Sequence, residues 1–261
     1  MLVAQTAKRT AYGALAALGA ATAGYAAIAG AAWLRYGHAS PPRNARNDED
    51  DALLDLFMPD YDVVERHNID VNAPAEATFG ASMRMSLDDS PIIRAIFKGR
   101  ELILGAEPDT RFRSKSLVET TKALGWVVLA EVPGHEIVMG AVTKPWEPNV
   151  VFRGVPPEQF AAFAEPGYVK IVWTLRADAV GPNASIARTE TRAVATDGEA
   201  RRKFRWYWAR FSPGIAVIRE VAQRLVKQEA ERQARAAAAV DQRGSGRTMV
   251  TIVPPDGGAS I

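Results

Sequence analysis

The segment SIARTETRAVATDGEARRKFRWYWARFSPGIAVIREVAQRLVKQEAERQ, residues 185–233, decides the fold. Its first part alternates small residues with large or charged ones, which is the period of two expected of a half-buried strand. The small set is Ser185, Ala187, Thr189, Thr191 and Ala193, and the other face carries Ile186, Arg188, Glu190, Arg192 and Val194. The pattern predicts a strand whose inner face is lined with small side chains.

A long helix is predicted directly after this strand. Thr196 and Glu199 have the spacing of a capping box, so the helix should begin near Gly198. Apolar residues then recur at helical spacing on both sides of Ser212-Pro213-Gly214, namely Phe204, Tyr207, Trp208, Phe211, Ile215, Ile218, Ala222 and Leu225. We expect the aromatic stripe to face a sheet, with a kink or break at Pro213.

Composition narrows the class of protein. The 261 residues are 48% hydrophobic and 24% charged, which suits one folded core with appendages at the ends. The formal charge of +2 arises from many charges of both signs, so we expect no nucleic-acid partner. Because cysteine is absent, disulfides, thiolate zinc sites and a cysteine nucleophile are excluded.

The amino-terminal segment is the candidate for membrane insertion. Residues 11–34 carry no charge over 24 positions and follow Lys8 and Arg9. This length is sufficient to span a bilayer, so we expect a single-pass membrane anchor within residues 1–39 and a membrane location. A cleaved signal peptide and a soluble alanine-rich helix are the alternatives, and the flanking charges do not decide the orientation.

The rest of the chain divides by composition and pattern. We expect a linker at 40–52, a folded domain at 53–234 and a flexible tail at 235–261, in which Met249 to Val253 could pair as a strand. Within the domain the patterns predict helices at Pro74 to Met83, Pro91 to Phe97, Ser116 to Leu124 and Pro156 to Phe163. Strands are predicted at Tyr61 to Val71, Trp126 to Val132, Glu136 to Thr143, Val150 to Arg153 and Tyr168 to Ala177, the last joined to the Ser185 strand by the hairpin turn GPNA. The class is α+β with an antiparallel sheet.

One strand, two short helices, a run of antiparallel strands and a long carboxy-terminal helix is the order of the helix-grip fold. The segments YDVVERHNIDVNAPAEATFGA (61–81) and TETRAVATDGEARRKFRWYWARFSPGIAVIR (189–219) resemble the START-like superfamily, also called SRPBCC or Bet v 1-like and related to polyketide cyclases and dehydrases. The resemblance is to a bacterial group within it and covers roughly residues 61–233. It implies a curved antiparallel sheet wrapped on the last helix. Members hold a lipid, polyketide, hormone or other apolar molecule between them, and a minority are cyclases, dehydratases or oxygenase subunits.

This geometry implies a ligand site between the sheet and the last helix. Small residues facing large aromatic ones would leave room for a hydrophobic or amphipathic small molecule. The expected lining is Val63, His67, Ile69, Val169, Ile171, Trp173, Ala187, Thr189, Thr191, Phe204, Tyr207, Trp208 and Phe211. The alternative is that these residues simply fill a core.

A catalytic alternative uses Glu65 and His67, which are two apart on one strand face and could form an acid/base pair. A histidine beside a cavity is more often a hydrogen-bonded wall residue, so we expect binding rather than catalysis. His38, His67 and His135 do not have the spacing of metal ligands, and we expect neither a metal nor a cofactor.

The charged face of the Ser185 strand has its own interpretation. Arg188, Glu190 and Arg192 suit a solvated outer face that pairs with Lys170, Thr174 or Arg176 on the next strand. In the alternative, Arg188 faces inward and binds a carboxylate or phosphate headgroup. Taken together, the sequence predicts a membrane-anchored binding protein for a lipid-like ligand. A cyclase or dehydratase and a membrane-tethered interaction module without a cavity are the alternatives.

Overall fold

The computed structural model describes residues 2–36, 51–87, 90–105 and 116–245. The helices are α1 (Leu2–Arg35), α2 (Ala52–Asp55), α3 (Ala75–Arg84), α4 (Pro91–Leu104), α5 (Leu117–Ala123), α6 (Pro157–Phe160) and α7 (Gly198–Ser245). The strands are β1 (Val63–Val71), β2 (Val127–Val132), β3 (Glu136–Thr143), β4 (Phe152–Arg153), β5 (Val169–Gly181) and β6 (Ala184–Ala195). The predicted linker lies almost entirely outside these residues, as does the predicted strand at Met249 to Val253.

The six strands form one curved antiparallel sheet in the order β1-β6-β5-β3-β2, with β4 paired to β3. The hairpin between β5 and β6 closes at residues 181–184, so the GPNA turn is confirmed. The pairing of β1 with β6 places Glu65 opposite Thr191 and His67 opposite Thr189. The α+β class, the antiparallel sheet and the long last helix are therefore confirmed.

Both faces of the sheet are covered. On the inner face, which is the face toward α7, Phe204 and Trp208 pack against Val63, Val169 and Ala193. On the outer face, side chains of the short helices α2 and α6 pack against β3 and β5 in a core of Leu54, Met58, Phe160, Val138 and Val172. The sheet is thus the central layer of the domain, and α7 is one of its two coverings.

The charged residues of β6 stand on the outer face as expected, but they are not solvated. Glu190 is 5% exposed and Arg192 is 3% exposed, because residues 51–58 cross over them. The Nη1 atom of Arg192 donates to the carbonyl of Met58 at 2.8 Å. Of the partners expected across the strand, Thr174 accepts the backbone N–H of Glu190 at 3.3 Å.

The side chain of Arg188 also stands on the outer face, where it pairs with Asp178, although Arg188 is among the residues that border the space between β6 and α7. Its binding of a ligand headgroup stays a prediction. Its Nε donates to Oδ2 of Asp178 at 2.6 Å, and Arg176 Nη2 donates to the same oxygen at 2.9 Å.

The start of α7 at Gly198 is as predicted, but its capping residue differs from the sequence prediction by one position. The helix begins at Gly198, but Asp197 caps it: its Oδ1 accepts the N–H groups of Glu199 at 2.7 Å and Ala200 at 2.8 Å. Thr196 is engaged elsewhere, because its hydroxyl bonds both backbone groups of Tyr168. The capping box predicted at Ser116 and Glu119 is present at α5.

We expect Asp197→Ala to lower the Tm of the protein by roughly 2 to 4 °C, because the first turn of α7 loses its acceptor. Glu199→Ala is the matched control, since Glu199 pairs only with Lys203 on the helix surface. Thermal unfolding followed by circular dichroism compares the two variants. An equal loss in both would restore Glu199 as half of a capping box.

The structure corrects two details of α7. Of the kink or break predicted at Pro213, the break is absent, because the helix is continuous across this residue. It also continues to Ser245, so residues 235–245, which were expected in the flexible tail, are helical.

Residues 25–36 at the end of α1 pack against α7. The rings of Trp33 and Trp206 lie 4.3 Å apart between centroids, and Arg205 donates to the carbonyl of Trp33 at 2.7 and 3.0 Å. Tyr36 is buried and meets the ring of Trp208 edge-on at 5.6 Å. Among the helices in the described ranges, none combines the length and the apolar character that crossing a bilayer requires.

Candidate functional site

A cavity of about 1000 Å³ lies between the inner face of the sheet and α7. Its lining contains eight of the residues predicted from the sequence: Ile171, Trp173, Thr189, Thr191, Phe204, Tyr207, Trp208 and Phe211. The small side chains of β6 therefore face the aromatic stripe of α7 across open space. That these side chains bind a ligand stays a prediction.

The other predicted lining residues are placed differently. Val63 and Val169 are buried against Phe204 and Trp208, two residues of the aromatic wall formed by Phe204, Tyr207, Trp208 and Phe211. They pack against this wall and do not line the cavity themselves. Ala187 packs with Val226 near the middle of α7, and Ile69 lies beside the same cluster. For these residues the alternative interpretation, that they fill the core, describes what is observed.

Helix α4 contributes side chains that the sequence analysis missed. It runs to Leu104, seven residues beyond the predicted end at Phe97, and ends at Gly105 with φ of 65°. Ile96, Phe97 and Ile103 all line the cavity. The spacing of these apolar residues is helical throughout PIIRAIFKGRELIL, so the periodicity would have revealed the full helix.

Arg219 is the main polar group of the cavity. It projects from α7, where it occupies the stripe position four residues after Ile215. Its Nη1 donates to Oγ1 of Thr189 at 3.3 Å, and its Nη2 donates to Oγ1 of Thr191. Arg219 was not among the residues predicted from the sequence, although a charge inside an apolar helical stripe is itself a signal of function.

Behind Arg219, Glu65 and His67 share one face of β1. The hydroxyl of Tyr36 donates to Oε1 of Glu65 at 2.9 Å, and Nε2 of His67 lies 3.7 Å from Oε2. Burial acts to raise the pKa of Glu65, but His67 and Tyr36 outweigh it and the pKa is lowered. Neither Glu65 nor His67 is among the residues that line the cavity.

The described residues contain no cluster of three or more His, Asp or Glu side chains arranged to hold a metal ion. The polar residues that line the cavity are two arginines, Arg188 and Arg219, the carboxylate residue Glu101, the amides Asn149 and Gln223, and several residues with hydroxyl groups. Such groups orient a ligand through hydrogen bonds, while the apolar walls supply the area that is buried on binding.

No known protein family and no curated protein matches the chain. The solved structures that show likeness include the following two. The Zhui aromatase/cyclase from Streptomyces sp. R1128 is 15% identical, with a TM-score of 0.23, over 67% of this chain and 97% of that chain. The di-domain ARO/CYC BexL from the BE-7585A biosynthetic pathway is 13% identical, with a TM-score of 0.25, over 65% of this chain. The chain spans 46% of the length of BexL, and TM-scores this low carry no argument about the present chain.

Proposed function

We propose that the protein binds a hydrophobic or amphipathic small molecule in the cavity between β6 and α7. The observation that supports this most is the cavity itself, whose volume of about 1000 Å³ is large enough for a lipid-like molecule. Its walls are mainly aromatic and aliphatic, so affinity would come from apolar burial at about 25 cal/mol per Å². An interaction module with a collapsed interior would not contain such a space.

The catalytic alternative assigns acid/base roles to Glu65 and His67. Both residues lie behind Arg219 rather than in the cavity lining, and both oxygens of Glu65 are already contacted within the protein. Binding is therefore the function that the geometry supports best. The anchor at residues 11–34 and a membrane location stay predictions. If both hold, the protein would take up its ligand at the membrane.

Blocking the cavity tests the proposal. Ala222 lines it from α7, and we expect Ala222→Phe to weaken binding of the neutral fluorophore N-phenylnaphthylamine at least about tenfold. The matched control is Ala236→Phe, the same change at an exposed position of the same helix. Fluorescence titration of the full chain measures both affinities.

If the fluorophore does not bind the unaltered protein, or binds both variants equally well, the cavity is not a binding site. Native mass spectrometry with lipid extraction of the purified protein would then identify the class of any ligand that copurifies. A defined mass that is lost in Ala222→Phe and kept in Ala236→Phe would support the proposal independently of the fluorophore.

A further inference from the structure

Arg219 is a partly buried cation whose set of hydrogen-bond partners is incomplete. Its Nε is buried and has no hydrogen-bond partner, whereas its two terminal nitrogens donate to Thr189 and Thr191. A guanidinium carries more N–H donors than two hydroxyl groups can use. A buried N–H donor without an acceptor costs free energy in an apolar setting. The guanidinium of Arg219 could therefore bind a ligand that supplies a hydrogen-bond acceptor.

Among the residues that the structure describes, no carboxylate forms a direct ion pair with Arg219. Glu65 acts electrostatically on Arg219, yet the described contacts include no direct ion pair between the two. The oxygens of Glu65 are turned to Tyr36 and His67 instead. Burial lowers the pKa of Arg219 to about 10, so the side chain is still a cation at neutral pH.

We propose that the ligand carries a carboxylate group, which the guanidinium of Arg219 binds beside the hydroxyls of Thr189 and Thr191, while its apolar body lies along the aromatic wall. This inference rests on the proposed binding function and names the chemical class of its ligand. A planar guanidinium offers parallel N–H groups that match the two oxygens of a carboxylate. The nearby charge of Glu65 favours a single negative charge on the ligand over the double charge of a phosphate monoester.

A matched pair of probes tests this in the full chain. Dodecanoic acid and methyl dodecanoate have the same apolar body and differ in the charge of the head. Each is titrated against protein loaded with N-phenylnaphthylamine at neutral pH, below the concentration at which the acid forms micelles. We expect the acid to displace the fluorophore at least about tenfold more effectively than the ester.

Variants assign the preference to the guanidinium. Arg219→Gln should remove the preference for the acid, so that acid and ester displace the fluorophore about equally well, because the charged partner of the carboxylate is lost. Arg219→Lys keeps the charge without the planar fork, so a smaller preference should remain. Arg224→Gln is the matched control on the same helix, since Arg224 is exposed and pairs with Glu220, and it should keep the full preference.

The outcomes separate the two proposals. If the fluorophore binds and the ester displaces it as well as the acid does, the carboxylate inference is wrong and the binding function stands. If the fluorophore does not bind the unaltered protein, the proposed binding function is wrong, and the carboxylate inference falls with it. A preference for the acid that survives Arg219→Gln would overturn the role of Arg219, and should that variant fail to fold, Arg219→Lys decides through the size of its preference.

Discussion

Glu190→Ala is expected to lower the free energy of unfolding by about 3 to 5 kcal/mol. Glu190 accepts two hydrogen bonds from Arg66, at 2.8 and 3.0 Å, and one from Nε of Arg192 at 2.6 Å. Only 5% of Glu190 is exposed, so removing its carboxylate leaves two guanidiniums together under the covering of residues 51–58. Equilibrium denaturation by urea, followed by tryptophan fluorescence, measures the loss.

Glu220→Ala is the control for this substitution. Glu220 also pairs with an arginine, Arg224 at 2.6 Å, but both side chains are more than 60% exposed, at 62% and 65%. Exposed pairs of this kind contribute about 0 to 1 kcal/mol. If Glu190→Ala lowers the free energy of unfolding by less than about 1 kcal/mol, the ion pairs on the outer face of β6 are more accessible to solvent than the structure indicates.

Glu136→Gln is expected to make stability less dependent on pH. Glu136 is 4% exposed, and its Oε1 is buried without a hydrogen-bond partner. Burial, together with the neighbouring carboxyl of Asp51, raises the pKa of Glu136 from 4.5 to about 8. Asp51 in turn caps α2 by accepting the N–H of Leu54 at 2.8 Å, so the two acidic groups meet where the covering segment begins.

The sign of the pH dependence of stability follows from the number of protons that the folded and unfolded states bind. Between 4.5 and about 8 the folded protein keeps a proton on Glu136 that the unfolded chain has lost. The contribution of Glu136 to the free energy of unfolding is therefore complete below pH 4.5. It falls by on the order of 2 to 4 kcal/mol as the pH rises from 4.5 to about 8. The neutral amide of Glu136→Gln should remove most of that fall.

Urea denaturation at several pH values between about 5 and 8 measures this dependence. Glu131→Gln is the control, because Glu131 is exposed on the neighbouring strand β2. If Glu136→Gln and the unaltered protein lose stability in parallel over this range, Glu136 is ionised in the folded state and the assignment is wrong.

The alternation in β6 was sufficient to predict which side chains face α7. Thr189 and Thr191 reach the cavity, and Arg188 and Glu190 stand on the other side. Alternation does not report what covers each face, however. The covering of Glu190 comes from residues 51–58, more than a hundred positions away, and no local pattern connects the two segments.

Two further features were not predicted from the sequence, namely the capping residue of α7 and the polar group of the cavity. Thr196 and Asp197 are both good helix caps, and the bonds of Thr196 to Tyr168 decide between them. Arg219 was missed because the apolar residues around it satisfied the helical pattern without it. The aromatic wall of the cavity was predictable from the spacing of Phe204 to Phe211, whereas its polar group required the packing of α7 on β6.

Pro213 has a mechanical consequence for the cavity. A proline has no N–H to donate, so the carbonyl of Ala209 loses its partner one turn earlier within a continuous helix. Residues on both sides of this point, ending at Phe211 before it and beginning at Gly214 after it, line the same cavity. A bend of α7 at Pro213 would therefore change the width of the cavity without breaking a hydrogen bond between the strands of the sheet.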